Sequence, residues 1–164
     1  MTLAEFFLKQ KEAGRKRTEE VFPLIRPEHL NWSPIKGALS IGEMLRHLWV
    51  AEEGVRRVAI DGDFSYYEKR VPGGLAAVLG APAKSLEEEL RHIKRAHEDT
   101  FAAASTLPEE TWEEERVHAG LGFRRKVSVI LFGINEHEVH HRAQLMTYLR
   151  MLGAPAPEPL ARRK

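Results

Sequence analysis

At 164 residues and 18.7 kDa the chain is the size of one domain, long enough to bury a single core and too short for a two-domain enzyme. Twenty-five Lys plus Arg against 24 Asp plus Glu leave a formal charge of +1, so the electrostatic drive that binds nucleic-acid backbones is missing and no nucleic-acid partner is expected. Cysteine is absent, which excludes disulfides, thiolate metal ligands and a cysteine nucleophile, and leaves eight histidines as the resource for metal or acid–base chemistry.

Thr2 with Glu5 has the capping-box spacing, and the pattern after it predicts a first helix from about Leu3 towards Pro23, with Leu3, Phe6, Phe7, Gln10, Ala13 and Arg17 on one face. Glu5 interrupts the apolar part of MTLAEFFLKQ and no basic residue precedes it, so the segment does not read as a secretory signal and a cytoplasmic location is expected. Ser40 with Glu43 opens a second helix, Ile41 to about Ile60, whose stripe is Ile41, Met44, Leu45, Leu48, Val55 and Ala59. Ser85 with Glu88 opens a third, with Leu86, Leu90, Ile93, His97, Phe101 and Ala104 on one face before Pro108. The fourth, from about Val127 to Leu152, aligns Ile130, Ile134, His137, His141, Leu145, Tyr148 and Leu152 before Gly153 and Pro155 stop it. Its apolar stretch Val127 to Ile134 is broken by Ser128 and Gly133 and falls far short of the ~20 residues that span a bilayer, so no membrane partner is expected.

No segment alternates with the period of a strand, so the expected fold is all-α: a four-helix bundle forming one domain over residues 1–153. Segments 61–84 and 106–126 are long for helical hairpins and point to crossover connections, and the proline-rich end, 154–164, reads as a flexible tail.

At ~100° per residue, His137 and His141 lie ~40° apart around the fourth helix and within its apolar stripe, whereas His140 falls on the flank. Two imidazoles one turn apart in a bundle interior need partners for their nitrogens, either from neighbouring helices or from a divalent metal. For a third ligand, His97 lies on the core stripe of its helix and His47 on the edge of its own, so periodicity prefers His97; His92 faces away, and His29 and His118 lie in connections. Three imidazoles would leave an open coordination position, the pattern of catalytic zinc.

His137-Glu138-Val139-His140-His141 also reads literally as the H-E-x-x-H of zinc proteases, but the extended form needs Gly and His where Gln144 and Thr147 stand, and the only downstream glutamate is Glu158. A di-iron bundle would pair Glu138 and His141 with Glu89 and His92, and His92 faces the wrong way.

In order along the chain, Asn31-Trp32-Ser33-Pro34, then Ser40-Ile41-Gly42-Glu43-Met44-Leu45-Arg46-His47-Leu48, His137-Glu138-Val139-His140-His141-Arg142-Ala143-Gln144-Leu145 and Tyr148-Leu149-Arg150-Met151-Leu152-Gly153 resemble DinB and the related YfiT-like metalloenzyme family. Ala143 departs from the glycine that members often carry there. The resemblance implies a homodimeric four-helix bundle with His47, His137 and His141 holding a divalent metal (zinc, nickel or manganese), His97 becoming a core residue or a neighbour of the ligands. It implies a small-molecule substrate and a transferase that uses a low-molecular-weight thiol, held by the metal as thiolate. The alternatives are a hydrolase using metal-activated water, with Glu138 as candidate base, and a non-enzymatic, stress-related metal-binding bundle.

Arg124, Arg125 and Lys126 crowd the start of the fourth helix, where cations oppose the dipole. Glu113, Glu114 and Glu115 are the expected counter-charges, with an anionic ligand as the alternative. Trp32, Trp49 and Trp112 read as core or interface anchors.

Overall fold

Three helix starts in this chain, after Thr2, Ser40 and Ser85, are set by side chains that satisfy free backbone N–H groups. In the computed structural model, which describes residues 1–155, the helices are α1 (Leu3–Glu19), α2 (Ile41–Asp61), α3 (Ser65–Gly73), α4 (Ala76–Leu79), α5 (Leu86–Ser105) and α6 (Val127–Met151). Both halves of the capping box form at Thr2 and at Ser40: the hydroxyls accept from the Glu5 and Glu43 N–H groups at 3.1 and 3.2 Å, and the two carboxylates accept from the Thr2 and Ser40 N–H groups at 2.8 and 2.7 Å. At Ser85 only the forward half is made, to the Glu88 N–H at 3.3 Å. Gly62, at φ 67°, caps α2 in the left-handed region, where a side chain would be strained.

The long helices α1, α2, α5 and α6 form the expected bundle. α2 packs on α5 and α6, and α1 packs on the same two, so α1 and α2 lie across a diagonal and the 20–40 segment must cross the end of the bundle. The 61–84 segment contains α3 and α4, which fold back on α2. The 106–126 segment corrects the expectation of no strand: β1 (Glu115–His118) and β2 (Phe123–Lys126) form an antiparallel hairpin pairing Arg116 with Arg125 and Val117 with Arg124. Four residues per strand, none of them fully buried, give too short and too polar a pattern for alternation to show.

A second correction concerns α1. Its buried side chains are Phe7, Lys11, Arg15 and Thr18, while Leu3 and Phe6 are 37% and 39% exposed. The interior face of α1 is charged, so a stripe chosen by hydrophobicity turns the helix the wrong way.

The core is consequently in two parts. One apolar cluster contains Phe7, Val58, Ala104, Trp112, Leu131 and Ile134; the other contains Val21, Met44, Leu45, Ile93, Leu145 and Leu149. On each long helix the residues between these two sets include polar ones: Lys11 and Arg15, Glu52, Thr100, and the run from His137 to His141. The candidate site lies in this polar layer. The tail expected from 154 lies outside the described residues from 156 onward, and no helix among the described residues is long and apolar enough to cross a membrane.

Candidate metal centre

One turn of α6 and the facing turn of α2 bring three imidazoles together. His137 Nε2 lies 2.9 Å from His47 Nε2 and 3.0 Å from His141 Nε2, and one ligating atom from each residue lies within 4.8 Å of the others. His141 Nδ1 donates to Gln144 Oε1 at 2.7 Å, one turn along the same helix face. That bond places the His141 proton on Nδ1 and leaves the Nε2 lone pair facing the other two rings.

Burial keeps these rings neutral. It pulls His137 down to about 3, helped by the charges of His141 and His47, and His47 down to about 4, helped by His141 and Arg70. His141 is lowered as well, by burial, against the raising effect of its bond to Gln144. With His141 Nε2 deprotonated, a single ring proton would have to serve both short contacts, whereas a divalent cation satisfies all three nitrogens at once. Metal–imidazole bonds of ~2.0–2.1 Å put ligand nitrogens ~2.8–3.4 Å apart across square and tetrahedral arrangements. The observed 2.9 and 3.0 Å sit at the short edge of that range. The donor set fits, and three histidines are positioned to bind a metal ion.

His97, which periodicity preferred, is not in this group. Its ring packs near Phe101, and it is pulled down to about 4 by burial and by the charges of Lys11 and Arg15. His92 is exposed and stacked on Trp49, and His140 is exposed. Glu89 is fully buried but receives Arg46 and, at 2.8 Å, the Trp49 indole N–H, so no second Glu-x-x-His pair faces the interior.

Glu138, the candidate base, is committed elsewhere. Lys11, Arg15, Glu52 and Glu138 are 1 to 4% exposed and together form a charge-neutral group, in which Glu138 Oε1 makes no hydrogen bond. Lys11 Nζ lies 2.7 Å from Glu52 and 3.3 Å from Glu138, and Arg15 Nη2 lies 3.1 and 3.2 Å from the same carboxylates. Burial alone would push the Glu138 carboxyl up, but Lys11 and Arg15 more than offset it and hold it below the ordinary range. Glu138 is thus a fixed anion that ties α1 to α6, and Glu52 does the same for α2. The base role read from its place beside His137 is not supported by these contacts, and neither is the protease motif that needs it.

A cleft of about 610 Å³ opens beside the histidines, lined by His47 and His137 and walled by Tyr66, Tyr67, Val55 and Ile130. α3 forms one wall because α2 carries Gly54 beneath it: a Cβ there would come within 2.4 Å of the Tyr66 ring. The counter-charge expectation for 124–126 holds at two positions of three. Lys126 pairs with Glu113 at 2.6 Å and Arg124 with Glu115, while Glu114 takes Arg116 at 3.0 Å. Arg125 has no carboxylate partner among the described residues; it lies over the Phe123 ring and lines the cleft.

Sequence reasoning missed the ion-pair group and the cleft wall. The first had a signal, since Lys11 and Arg15 are spaced i, i+4 and align with Phe7 and Thr18, matched by acids inside the stripes of α2 and α6. The Tyr66–Arg70 segment had none, because its role comes from folding back onto α2.

The uncharacterized protein YjoA of Bacillus subtilis (strain 168) is 25% identical over 142 residues, covering 85% of this chain and 84% of that protein. The crystal structure of that DinB-like protein superposes with a TM-score of 0.71 at 20% identity, covering 93% of this chain and 96% of that one. A DinB-like protein from Bacillus cereus gives 0.71 at 17% identity, covering 94% and 96%. These structures share the fold, and the family model of the DinB superfamily matches residues 10–145. This chain, with its helical bundle and interior histidine triad, belongs to the DinB superfamily.

Proposed function

We propose that the protein is a metal-dependent transferase acting on a small molecule with a low-molecular-weight thiol, and that His47, His137 and His141 hold its divalent ion, zinc, nickel or manganese. The observation that carries this reading is the convergence of three neutral imidazoles on the wall of an open cleft, with no fourth protein ligand gathered with them among the described residues. When bound, a divalent ion stabilises an anionic sulfur and turns a weakly acidic thiol into a nucleophile near neutral pH. Gln144 fixes the tautomer of His141, and burial keeps all three rings in the ligating form. The buried ion pairs hold α2 and α6, which carry the histidines, at a set spacing through α1. Tyr66 and Tyr67 wall the space in which the substrate would lie. Because the chain has no cysteine, the sulfur must arrive with a co-substrate.

One observation favours hydrolysis as a second reading: Glu136 lines the cleft beside His137 and pairs with no cation among the described residues, so a carboxylate is on hand to take a proton from water. Titrating the cobalt-substituted protein with glutathione and with bacillithiol separates the two. The transferase reading expects a sulfur-to-cobalt charge-transfer band that saturates. Absence of any spectral change with either thiol refutes it and turns attention to ester and amide substrates, with Glu136→Gln as the diagnostic variant.

A further inference from the structure

Two arginines of the cleft lack the partners that the chain supplies to nearby cations. Around the hairpin, Arg116, Arg124 and Lys126 each take a glutamate, and Arg57 takes Asp63. Arg125, between two paired cations, takes none, and neither does the half-buried Arg70 on α3; both line the cleft that contains His47 and His137. They come from different elements, α3 and β2, yet both line the cleft beside Tyr67, and the charges of both act on its hydroxyl. Apolar surface adjoins them: Val71 and Val129 line the same cleft and are 62% and 53% exposed.

The carboxylates of the cleft do not cancel this charge. Glu52 is already neutralised by Lys11 and Arg15, which leaves Glu136 as the one acid of the cleft without a cation, against two arginines without a carboxylate, Arg70 being hydrogen-bonded to the Tyr66 hydroxyl. Arg125 lies on β2, ahead of the start of α6 at Val127, whereas the charge of Arg70 reaches His47, so the two arginines line different parts of the cleft wall. Guanidiniums without a carboxylate partner beside apolar walls suit a carboxylate or phosphate attached to an apolar body, because Arg presents a planar fork of donors to either group.

We propose that Arg70 and Arg125 form an anion subsite, so that the molecule occupying the cleft carries a carboxylate or phosphate and an apolar segment beside it. This rests on reading the cleft as the substrate site, but not on the metal or on the thiol.

The test uses probes without sulfur. Binding of 4-phenylbutyrate, phenyl phosphate and the neutral 4-phenylbutanamide to the full-length protein is measured by calorimetry, metal-loaded and after chelation. At least one anionic probe should bind at least tenfold more tightly than the amide in both forms. Arg70→Gln and Arg125→Gln should each abolish that preference, while Arg124→Gln, which removes a paired cation, leaves it intact. The stronger of the two anionic probes distinguishes carboxylate from phosphate.

Equal binding of acid and amide, no binding of either anion at millimolar concentration, or an unchanged preference in both cleft variants would overturn the proposal. A preference that vanishes on chelation but survives both variants would also overturn it, since the anion would then be on the metal. Anion preference in the chelated protein, with no cobalt–thiol band, would leave the subsite standing and the thiol reading refuted.

Discussion

Replacing Glu138 by glutamine keeps the shape of the side chain and removes one of four buried charges. Lys11 and Arg15 would then share Glu52 alone, leaving a net positive charge among groups that are 1 to 4% exposed. Removing one partner of a buried pair costs ~3–5 kcal/mol, because the charge left behind has given up its water without recovering its counter-ion. For a chain of this size each kcal/mol moves Tm by ~2–4 °C, so a fall of roughly 6–20 °C is expected. Thermal and urea unfolding of the metal-loaded variant measure this. A double-mutant cycle with Lys11→Met should recover part of the loss, since it removes the stranded cation. If E138Q unfolds within ~0.5 kcal/mol of wild type while turnover collapses, the ion-pair reasoning is wrong and Glu138 is the base that its position beside His137 suggested.

Gln144→Ala removes the acceptor that holds His141 Nδ1, and metal affinity should fall ~10–100-fold, measured by competition with a chromophoric chelator; unchanged affinity would deny Gln144 that role. His97 has a depressed folded-state value of about 4 against an ordinary 6.5, so the unfolded chain binds its proton first as pH falls. The stability that neutral His97 contributes is complete above pH 6.5 and is lost between 6.5 and 4. His97→Phe should make the stability–pH curve shallower in that window, and an unchanged slope in urea titrations would count against it. Gly54→Ala would gain ~1 kcal/mol in an open helix, but the Tyr66 ring stands 2.4 Å from the new Cβ. Overpacking of ~1–3 kcal/mol should cancel or exceed that gain, and a net stabilisation of ~1 kcal/mol would show that α3 gives way freely.

Three of the four long helices were legible because their caps and stops are local, Thr2, Ser40 and Ser85 at the starts and Gly62 at an end, and α6, which has no side-chain cap, because of its apolar stripe. The last-helix histidines were legible for the same reason, since i, i+4 spacing within a stripe fixes their common direction. His47 was not, because its place at the stripe's edge becomes interior only when α2 meets α6, and periodicity alone chose His97. The family resemblance supplied what one helix at a time could not. α1 was misread because Lys11 and Arg15 are buried, against the usual sorting of charge to the surface, and their counter-ions lie 37 or more residues away. The cleft wall was illegible for a related reason: Tyr66, Tyr67, Arg70 and Arg125 meet only through tertiary folding of two connections that carry no strong pattern.

The central claim is that His47, His137 and His141 together hold a divalent ion. Metal content of protein purified without a histidine tag and reconstituted with zinc, nickel or manganese tests it, with His47→Ala, His137→Ala, His141→Ala and His97→Ala in parallel. One equivalent is expected in wild type and in the His97 variant, and substoichiometric metal in the other three. Absence of stoichiometric metal from wild type with all three ions, or its loss in the His97 variant alongside retention in the His47 variant, would contradict the account.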